Sequence, residues 1–443
     1  MEKHSAEEVY ELYRKHRTVC TDTRKIVPGS IFFALKGDNF DANAFAAEAL
    51  EKGCAFAVVD NPKYAKGEGC ILVDDVLKTL QQTAVLHRRR SMIPFIGITG
   101  TNGKTTTKEL VKSVLGVRHK VYATEGNLNN HIGVPLTILA MPHDTEIAVI
   151  EMGANHPGEI AELCRIALPT FGLITNIGQA HLEGFGSFAN IVSTKTALYE
   201  FVKKVHGKVF VNADNPILMN ASRDVERFCY GSKENVFLRM THLEEEQVKY
   251  TCCLHGTPSA PNITKIESNL IGKYNLENLA AAACIGRYFS LNDQEIKEGL
   301  DRYQPTNYRS QGIQVGKNVI IADAYNANPT SMAASLENFS EMHFSATKLP
   351  ILGDMLELGS ASKDEHQKVV DLLQKLKFDT VYLVGENFAK TNRPQNYRSF
   401  AKAEDLNDFL SGNPLNMHCL LVKGSHGVHL EKVIDMLKKQ APL

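Results

Sequence analysis

The sequence holds no tryptophan, no Cys-x-x-Cys pair and no apolar run near the roughly 18 residues that a membrane-spanning helix needs. The missing tryptophan decides nothing. The missing cysteine pairs exclude a zinc ribbon and a thioredoxin-type site. The nine cysteines, at 20, 54, 70, 164, 229, 252, 253, 284 and 419, are scattered and read as free thiols of a cytosolic protein. Net charge is also nearly absent: 49 Lys+Arg against 50 Asp+Glu leave −1. That balance carries no global signature for nucleic acid or an anionic membrane, so neither partner is expected. Residues 1–20 are charged and helix-like and lack the apolar centre and cleavage site of a signal peptide, so a cytoplasmic location is expected.

What is present is an ordinary globular composition, 43% hydrophobic and 22% charged, over 443 residues. At roughly 100–200 residues per domain this length suggests three domains, and the pattern divides at 1–90, 91–306 and 307–443. In the first block, Ile31–Leu35 and Ala55–Val59 read as strands, and Ala44–Leu50 and Asp75–Arg88 as helices. His87-Arg88-Arg89-Arg90 closes the second helix, where cations complement the helix dipole. Met92-Ile93-Pro94 reads as a linker.

In the second block, the continuous apolar runs Phe95–Ile98, Ile147–Ile150, Phe171–Thr175 and Lys208–Asn212 read as buried parallel strands. Residues 236–270 alternate and predict antiparallel strands, and Leu276–Tyr288 predicts a helix. In the third block, Asn318–Ala322, Leu349–Leu352, Thr380–Val384 and Cys419–Val422 are strands with helical segments between them. The expected fold class is α/β: a small α/β domain, a central doubly wound sheet with a P-loop, and a Rossmann-like C-terminal domain.

The strongest motif is Gly97-Ile-Thr-Gly100-Thr101-Asn102-Gly103-Lys104-Thr105-Thr106-Thr107, with a strand before it and a helix after it. Glycines let backbone N–H groups turn inward around phosphate oxygens, and the helix N-terminus adds partial positive charge. Lys104 is expected on the β/γ-phosphates and the Thr105 hydroxyl on Mg²⁺. The strict Walker pattern wants Gly at 98, and Ile98 stands there. Glu151 ends a neighbouring strand, where P-loop enzymes place a Mg²⁺ partner. Asn176-Ile-Gly-Gln-Ala-His181 follows another strand, and Lys195 lies fourteen residues on, in a helical stretch. Singly each has a bland explanation; together they surround one switch point of the sheet.

These segments resemble the Mur ligases, the ATP-dependent amide-forming enzymes of cell-wall peptide assembly. The resemblance spans all three blocks. It also rests on Gly126-Asn127-Leu-Asn129-Asn130-His-Ile-Gly-Val-Pro135, Glu151-Met-Gly-Ala-Asn-His-Pro-Gly-Glu159 and Asp323-Ala-Tyr-Asn326-Ala-Asn328-Pro329, which are similar to the branch that adds a terminal dipeptide. Asp22-Thr23-Arg24 and Pro28–Gly37 resemble the uridine-nucleotide domain of the later ligases.

The resemblance implies that the carboxylate of a UDP-N-acetylmuramoyl-tripeptide attacks the γ-phosphate of ATP. The amine of D-alanyl-D-alanine then displaces phosphate from the acyl phosphate. It implies catalytic roles for Lys104, Glu151, His181, Lys195 and Arg309. It places two Mg²⁺ ions on Thr105, Glu151, His181 and Lys195, the lysine being carbamylated. It implies ATP contacts from Gly100, Thr101, Asn102, Gly103, Lys104, Thr105, Thr106, Asn275, Asn278, Asp323, Asn326 and Asn328. It implies UDP-substrate contacts from Asp22, Thr23, Arg24, Asn127, Asn129 and Asn130.

Three positions bear on the details of this likeness. Tyr274 replaces a usual His in the adenine-side motif. His426 stands where Lys-Gly-Ser-Arg-Gly has its Arg, and without a permanent charge or bidentate fork no binding role is expected of it. Gly353-Asp354-Met-Leu-Glu357-Leu-Gly leaves dipeptide contact and turn geometry both open. A folylpolyglutamate synthase-like enzyme shares the last two domains but lacks a nucleotide-sugar domain ahead of the P-loop, whereas residues 1–90 with Asp22-Thr23-Arg24 precede it here. A monomer that closes its last domain over ATP is the expected form.

Overall fold

The computed structural model describes residues 2–179, 182–246, 249–257, 260–306 and 308–440, without the side chains of 182, 245, 246, 260 and 440. Three α/β domains are present, each built on a sheet with a parallel core.

The first sheet runs in the order Val19–Cys20, Ile31–Phe33, Phe56–Val59, Cys70–Leu72, all parallel. Helix Ala6–His16 packs on helix Val76–Arg90 beside it. A capping box between Ser5 and Glu8 starts the former, and the Asp75 side chain caps the latter.

The central sheet has nine strands. Val121–Ala123, Ile147–Glu151, Phe95–Thr99, Phe171–Ile174, Lys208–Asn212, Glu226–Gly231 and Leu238–Glu246 are parallel neighbours in that order. Lys249–Thr257 and Ala260–Ser268 continue it antiparallel, as the alternating pattern predicted. Strand Phe95–Thr99 lies between a strand on each side that follows it in the chain. Its carboxyl end is therefore the switch point, where α/β sheets bind ligands.

The C-terminal sheet runs Gln311–Val315, Asn318–Asp323, His418–Lys423, Thr347–Gly353, Val381–Val384, Tyr397–Phe400, antiparallel only at its first pair.

The sequence pattern marks no strand at 19–20, 70–72, 121–123, 226–231, 311–315 or 397–400, and one expectation needs extending. The basic run at 87–90 does more than complement its own helix dipole. Arg88 is buried, its guanidinium lies 3.8 Å over the Phe95 ring, and it donates to the carbonyls of Ala167, Leu168 and Ser91. Ala167 and Leu168 end helix Glu159–Ala167, so Arg88 caps a helix of the central domain from the first domain. Burial pulls its pKa down to about 10, which still leaves it charged at neutral pH. The first domain also shares one apolar core with the central one: Tyr10, Tyr13, Val76 and Leu80 join Val134, Ile138, Ile160 and Leu163.

Replacing Arg88 by Ala strands buried carbonyls and is expected to cost about 3 kcal/mol in denaturant unfolding, with the exposed neighbour Arg89→Ala within about 0.5 kcal/mol of the parent.

Candidate active site

The chain after Thr99 turns through Gly100, whose φ is +145°, and an added Cβ there would meet the Thr175 hydroxyl at 1.9 Å. It turns again at Gly103, φ +77°, the N-cap of helix Lys104–Leu115, where a Cβ would meet the Asn278 amide oxygen at 2.5 Å. Only glycine fits both positions.

The turn is held from two sides. From the neighbouring strand end, Asn176 Oδ1 accepts from the Asn102 N–H (2.9 Å) and Thr175 Oγ1 donates to the Asn102 carbonyl (2.6 Å). The Gly178 N–H donates to Thr101 Oγ1 (2.9 Å). From below, Thr107 Oγ1 donates to Asn278 Oδ1 (3.0 Å), Asn278 Nδ2 to Asn275 Oδ1 (2.9 Å), and Asn275 Nδ2 to the Ile271 carbonyl (2.7 Å). Asn275 and Asn278 are thus buried supports of the loop as well as cavity-lining residues.

A cavity of about 660 Å³ opens over this loop. Thr101 to Thr106, Asn127, Asn129, Asn130, Glu151 and Asn176 line it from the central domain, and Arg309, Asp323, Asn326, Asn328 and Lys423 line its other side. Lys104 Nζ donates to the carbonyls of Gly100 (2.9 Å) and Thr101 (3.1 Å). Burial lowers its pKa, Glu151 opposes that, and the Arg309 charge lowers it further.

Glu151 is buried, and its Oε1 accepts from Asn129 Nδ2 (2.8 Å) and Thr105 Oγ1 (3.2 Å). Its Oε2 has no partner among the described residues. A buried carboxylate oxygen left open beside a threonine hydroxyl is the donor set a hard divalent cation takes, with phosphate and water completing it.

Lys195, in helix Phe188–Lys204, is buried with Nζ 5.8 Å from the Phe185 ring centroid. Burial and then the Lys104 charge push its pKa well below the ordinary lysine value, against the pull of Glu159. His181, the other expected metal ligand, lies outside the described residues.

From the C-terminal domain, Asp323 pairs with Lys423 (2.6 Å), a buried cation to which the sequence reading gave no role. The polar end of an otherwise apolar strand was the available signal. Asn328 caps helix Pro329–Glu341 and reaches across to the loop, Nδ2 donating to Asn102 Oδ1 (2.7 Å).

Residues 98–286 match the family model of the Mur ligase middle domain, and residues 308–425 that of the Mur ligase, glutamate ligase domain. The UDP-N-acetylmuramoyl-tripeptide–D-alanyl-D-alanine ligase of Bacillus subtilis (strain 168) is 35% identical over 430 residues, 95% of this chain and 92% of the relative. The chain belongs to the Mur ligase family. Solved Mur ligase structures superpose over nearly its whole length. MurF from Acinetobacter baumannii does so with a TM-score of 0.86 and 28% identity, covering 99% of this chain and 100% of that one. MurF from Thermotoga maritima in complex with ADP gives 0.85 and 27%, covering 96% and 98%.

Not every residue singled out in this Mur ligase meets at the cavity. Asp22, Thr23, Arg24, Gly100 and Lys195 are not among the described residues that line it. The exposed Arg24 forks onto Asp22 (2.7 Å at the closest) and holds that half-buried carboxyl well below the usual carboxylate range. Asn130 accepts from the N–H groups of Ile132 and Gly133, fixing the turn into the next helix. Asp354 resolves to turn geometry: its carboxylate accepts from the N–H groups of Asn387 and Phe388 and starts the short helix Glu386–Ala389.

Gly103→Ala is expected to weaken ATP binding at least about tenfold by calorimetry, since the strain falls on the loop itself. Removing the Asn278 side chain as well should recover part of the loss by vacating the clash.

Proposed function

We propose that this chain is an ATP-dependent ligase that joins D-alanyl-D-alanine to UDP-N-acetylmuramoyl-tripeptide, a step of peptidoglycan precursor synthesis. Residues 1–90 hold the uridine end, 91–306 hold ATP, and 307–443 hold the dipeptide and complete the nucleotide site. The enzyme acts in the cytoplasm as a monomer. One observation carries the reading. Two cations, Lys104 and Arg309, line the same cavity as a buried carboxylate with an oxygen unpartnered among the described residues. Such a set suits a polyanion with a divalent cation.

The chemistry follows from charge. A carboxylate attacking the γ-phosphate is an anion approaching a polyanion, so positioned positive charge must offset the repulsion. Lys104 serves the β/γ-phosphates by leaving the loop carbonyls it now bonds. Arg309 neutralises charge from the opposite wall. The loop N–H groups and the helix N-terminus cradle the phosphates. Asp323, Asn326 and Asn328 contact the nucleoside side. Asp22, Thr23, Arg24, Asn127, Asn129 and Asn130 contact the UDP-linked substrate. The dipeptide amine then attacks the acyl carbon, phosphate leaves, and the amide forms. Thr105, Glu151 and His181, with Lys195 as a carbamate, would hold two Mg²⁺ ions, which supply electrostatic stabilisation of the transferring phosphoryl group. The lowered pKa of Lys195 supports this, because only the neutral amine adds CO₂.

A phosphate-release assay with ATP and tripeptides ending in lysine or diaminopimelate should show turnover that requires D-alanyl-D-alanine. Release that needs no dipeptide, or that follows glutamate addition, contradicts the reading. Lys195→Ala should lose at least about a hundredfold in kcat, with partial rescue by short carboxylates. Full activity of that variant would remove the lysine from the site.

A further inference from the structure

Arg309 sits between two non-glycine residues in left-handed backbone, Tyr308 (φ 53°) and Ser310 (φ 50°). Such conformations persist only where the surroundings over-determine them. Here the two neighbours are tied to different domains. Tyr308 donates its hydroxyl to Asp435 (2.6 Å), and Lys438 lies 4.8 Å over its ring, both on the last helix, Glu431–Gln440. The Ser310 carbonyl accepts from the Ile271 N–H (3.1 Å), and its hydroxyl meets the Tyr274 hydroxyl (3.1 Å), both in the central domain. Arg309 is therefore the residue at which the chain passes from one body to the other.

Its guanidinium is not left to the hinge. It lies flat on the Tyr325 ring, 3.4 Å from the centroid. Tyr325 follows the strand Asn318–Asp323 of the C-terminal domain and lines the cavity. The His426 ring lies near-parallel to Tyr325 at 5.7 Å and 24°, and His429 meets His426 edge-on at 6.0 Å. A guanidinium stacked by its face keeps its N–H edges free to fork onto a phosphate. The Tyr325 hydroxyl makes no hydrogen bond among the described residues, so the ring face is the working part.

We propose that Tyr325, with His426 stacked on it, is a positioning residue. Its ring carries the Arg309 guanidinium with the C-terminal domain, so that this charge reaches the transferred phosphoryl group only when that domain is docked. The proposal rests on the ligase reading above. It also gives His426 a role that its lack of charge had seemed to deny. An arginine there would bring a second permanent cation to the ring that serves Arg309. Histidine supplies a stacking face without one.

A double-mutant cycle tests it, using steady-state phosphate release by the full-length enzyme. Tyr325→Leu should lower kcat about tenfold or more, with KM for the UDP-linked substrate within about twofold, and Tyr325→Phe should restore kcat to within about twofold. In an Arg309→Ala background, Tyr325→Leu should add almost nothing. If Tyr325 instead stacks on the nucleotide base or merely supports the fold, its loss is the same in both backgrounds, and that additivity overturns the proposal. His426→Leu, at an exposed position, gives a version safe for folding: a smaller kcat loss that vanishes in the Arg309→Ala background supports the proposal, and an unchanged kcat overturns the part given to His426. A parent enzyme without dipeptide-dependent release overturns the ligase reading and this inference with it. An active parent with additive losses overturns the inference alone.

Discussion

The active-site architecture depends on a turn that has no room for side chains. Between Gly100 and Gly103 the backbone passes so close to Thr175 and Asn278 that an added methyl group would collide with either. The contacts that exclude the methyl groups also hold the loop. Thr175 and Asn176 end one strand of the sheet, and Asn278 stands in a helix reached only after the antiparallel extension at 238–268. The loop thus joins parts of the central domain that lie far apart in sequence. The Thr101 and Asn102 N–H groups and the Asn102 carbonyl are anchored to residues 175 and 176, so the loop has its shape before any ligand arrives. That is the preorganisation that phosphoryl transfer needs, since reorganising dipoles during the reaction would consume the stabilisation they give.

Around this frame the electrostatics are left unbalanced. Lys104 lies in the field of Arg309, and Lys195 in that of Lys104, each with its charged form disfavoured by burial. Glu151 keeps one buried oxygen without a partner among the described residues. An apolar core would not tolerate such an arrangement, because unpaired buried charge is costly. Under the proposed function, phosphates beside the cations and a divalent ion beside the carboxylate would offset that cost. The chain's net charge of −1 says nothing of this. The charge that matters is sorted by position: Lys104, Arg309 and Glu151 line one cavity, with Lys195 buried in the field of Lys104.

Much of this was legible in the sequence where one physical rule acts over a short window. The buried parallel strands show as continuous apolar runs, the alternating segment at 236–270 as antiparallel strands, and the P-loop as glycines at a strand–helix junction. Asp323, Asn326, Asn328 and Arg309 reach the cavity as the motifs suggested. The rest depends on tertiary contacts that no window contains. Arg88 sits in an ordinary-looking basic run, and only the docking of two domains turns it into a cap for a distant helix. Asn275 and Asn278 read as nucleotide contacts, yet their amides are largely spent supporting the loop. Lys423 ends an apolar strand and Tyr325 sits inside a motif, but neither position says on its own what the side chain touches. They matter because a parallel sheet brings the ends of its strands together.

The two domain boundaries are built differently. The first and central domains share a continuous apolar core, and Arg88 is locked across their boundary by three carbonyls. Separating them would expose that core to water and strand buried polar groups. The C-terminal domain keeps cores that are almost wholly its own, with Ile271 the one central residue among them in the described residues. It meets the central domain at the cavity through polar contacts such as Asn328 to Asn102, and nearby through Lys273 to Glu341 (2.7 Å). Water can replace such contacts at little cost. The strained pair at 308 and 310 marks where the chain bends. A domain joined to the central one by exchangeable polar ties is held less firmly than the first domain, whose separation would expose a shared apolar core.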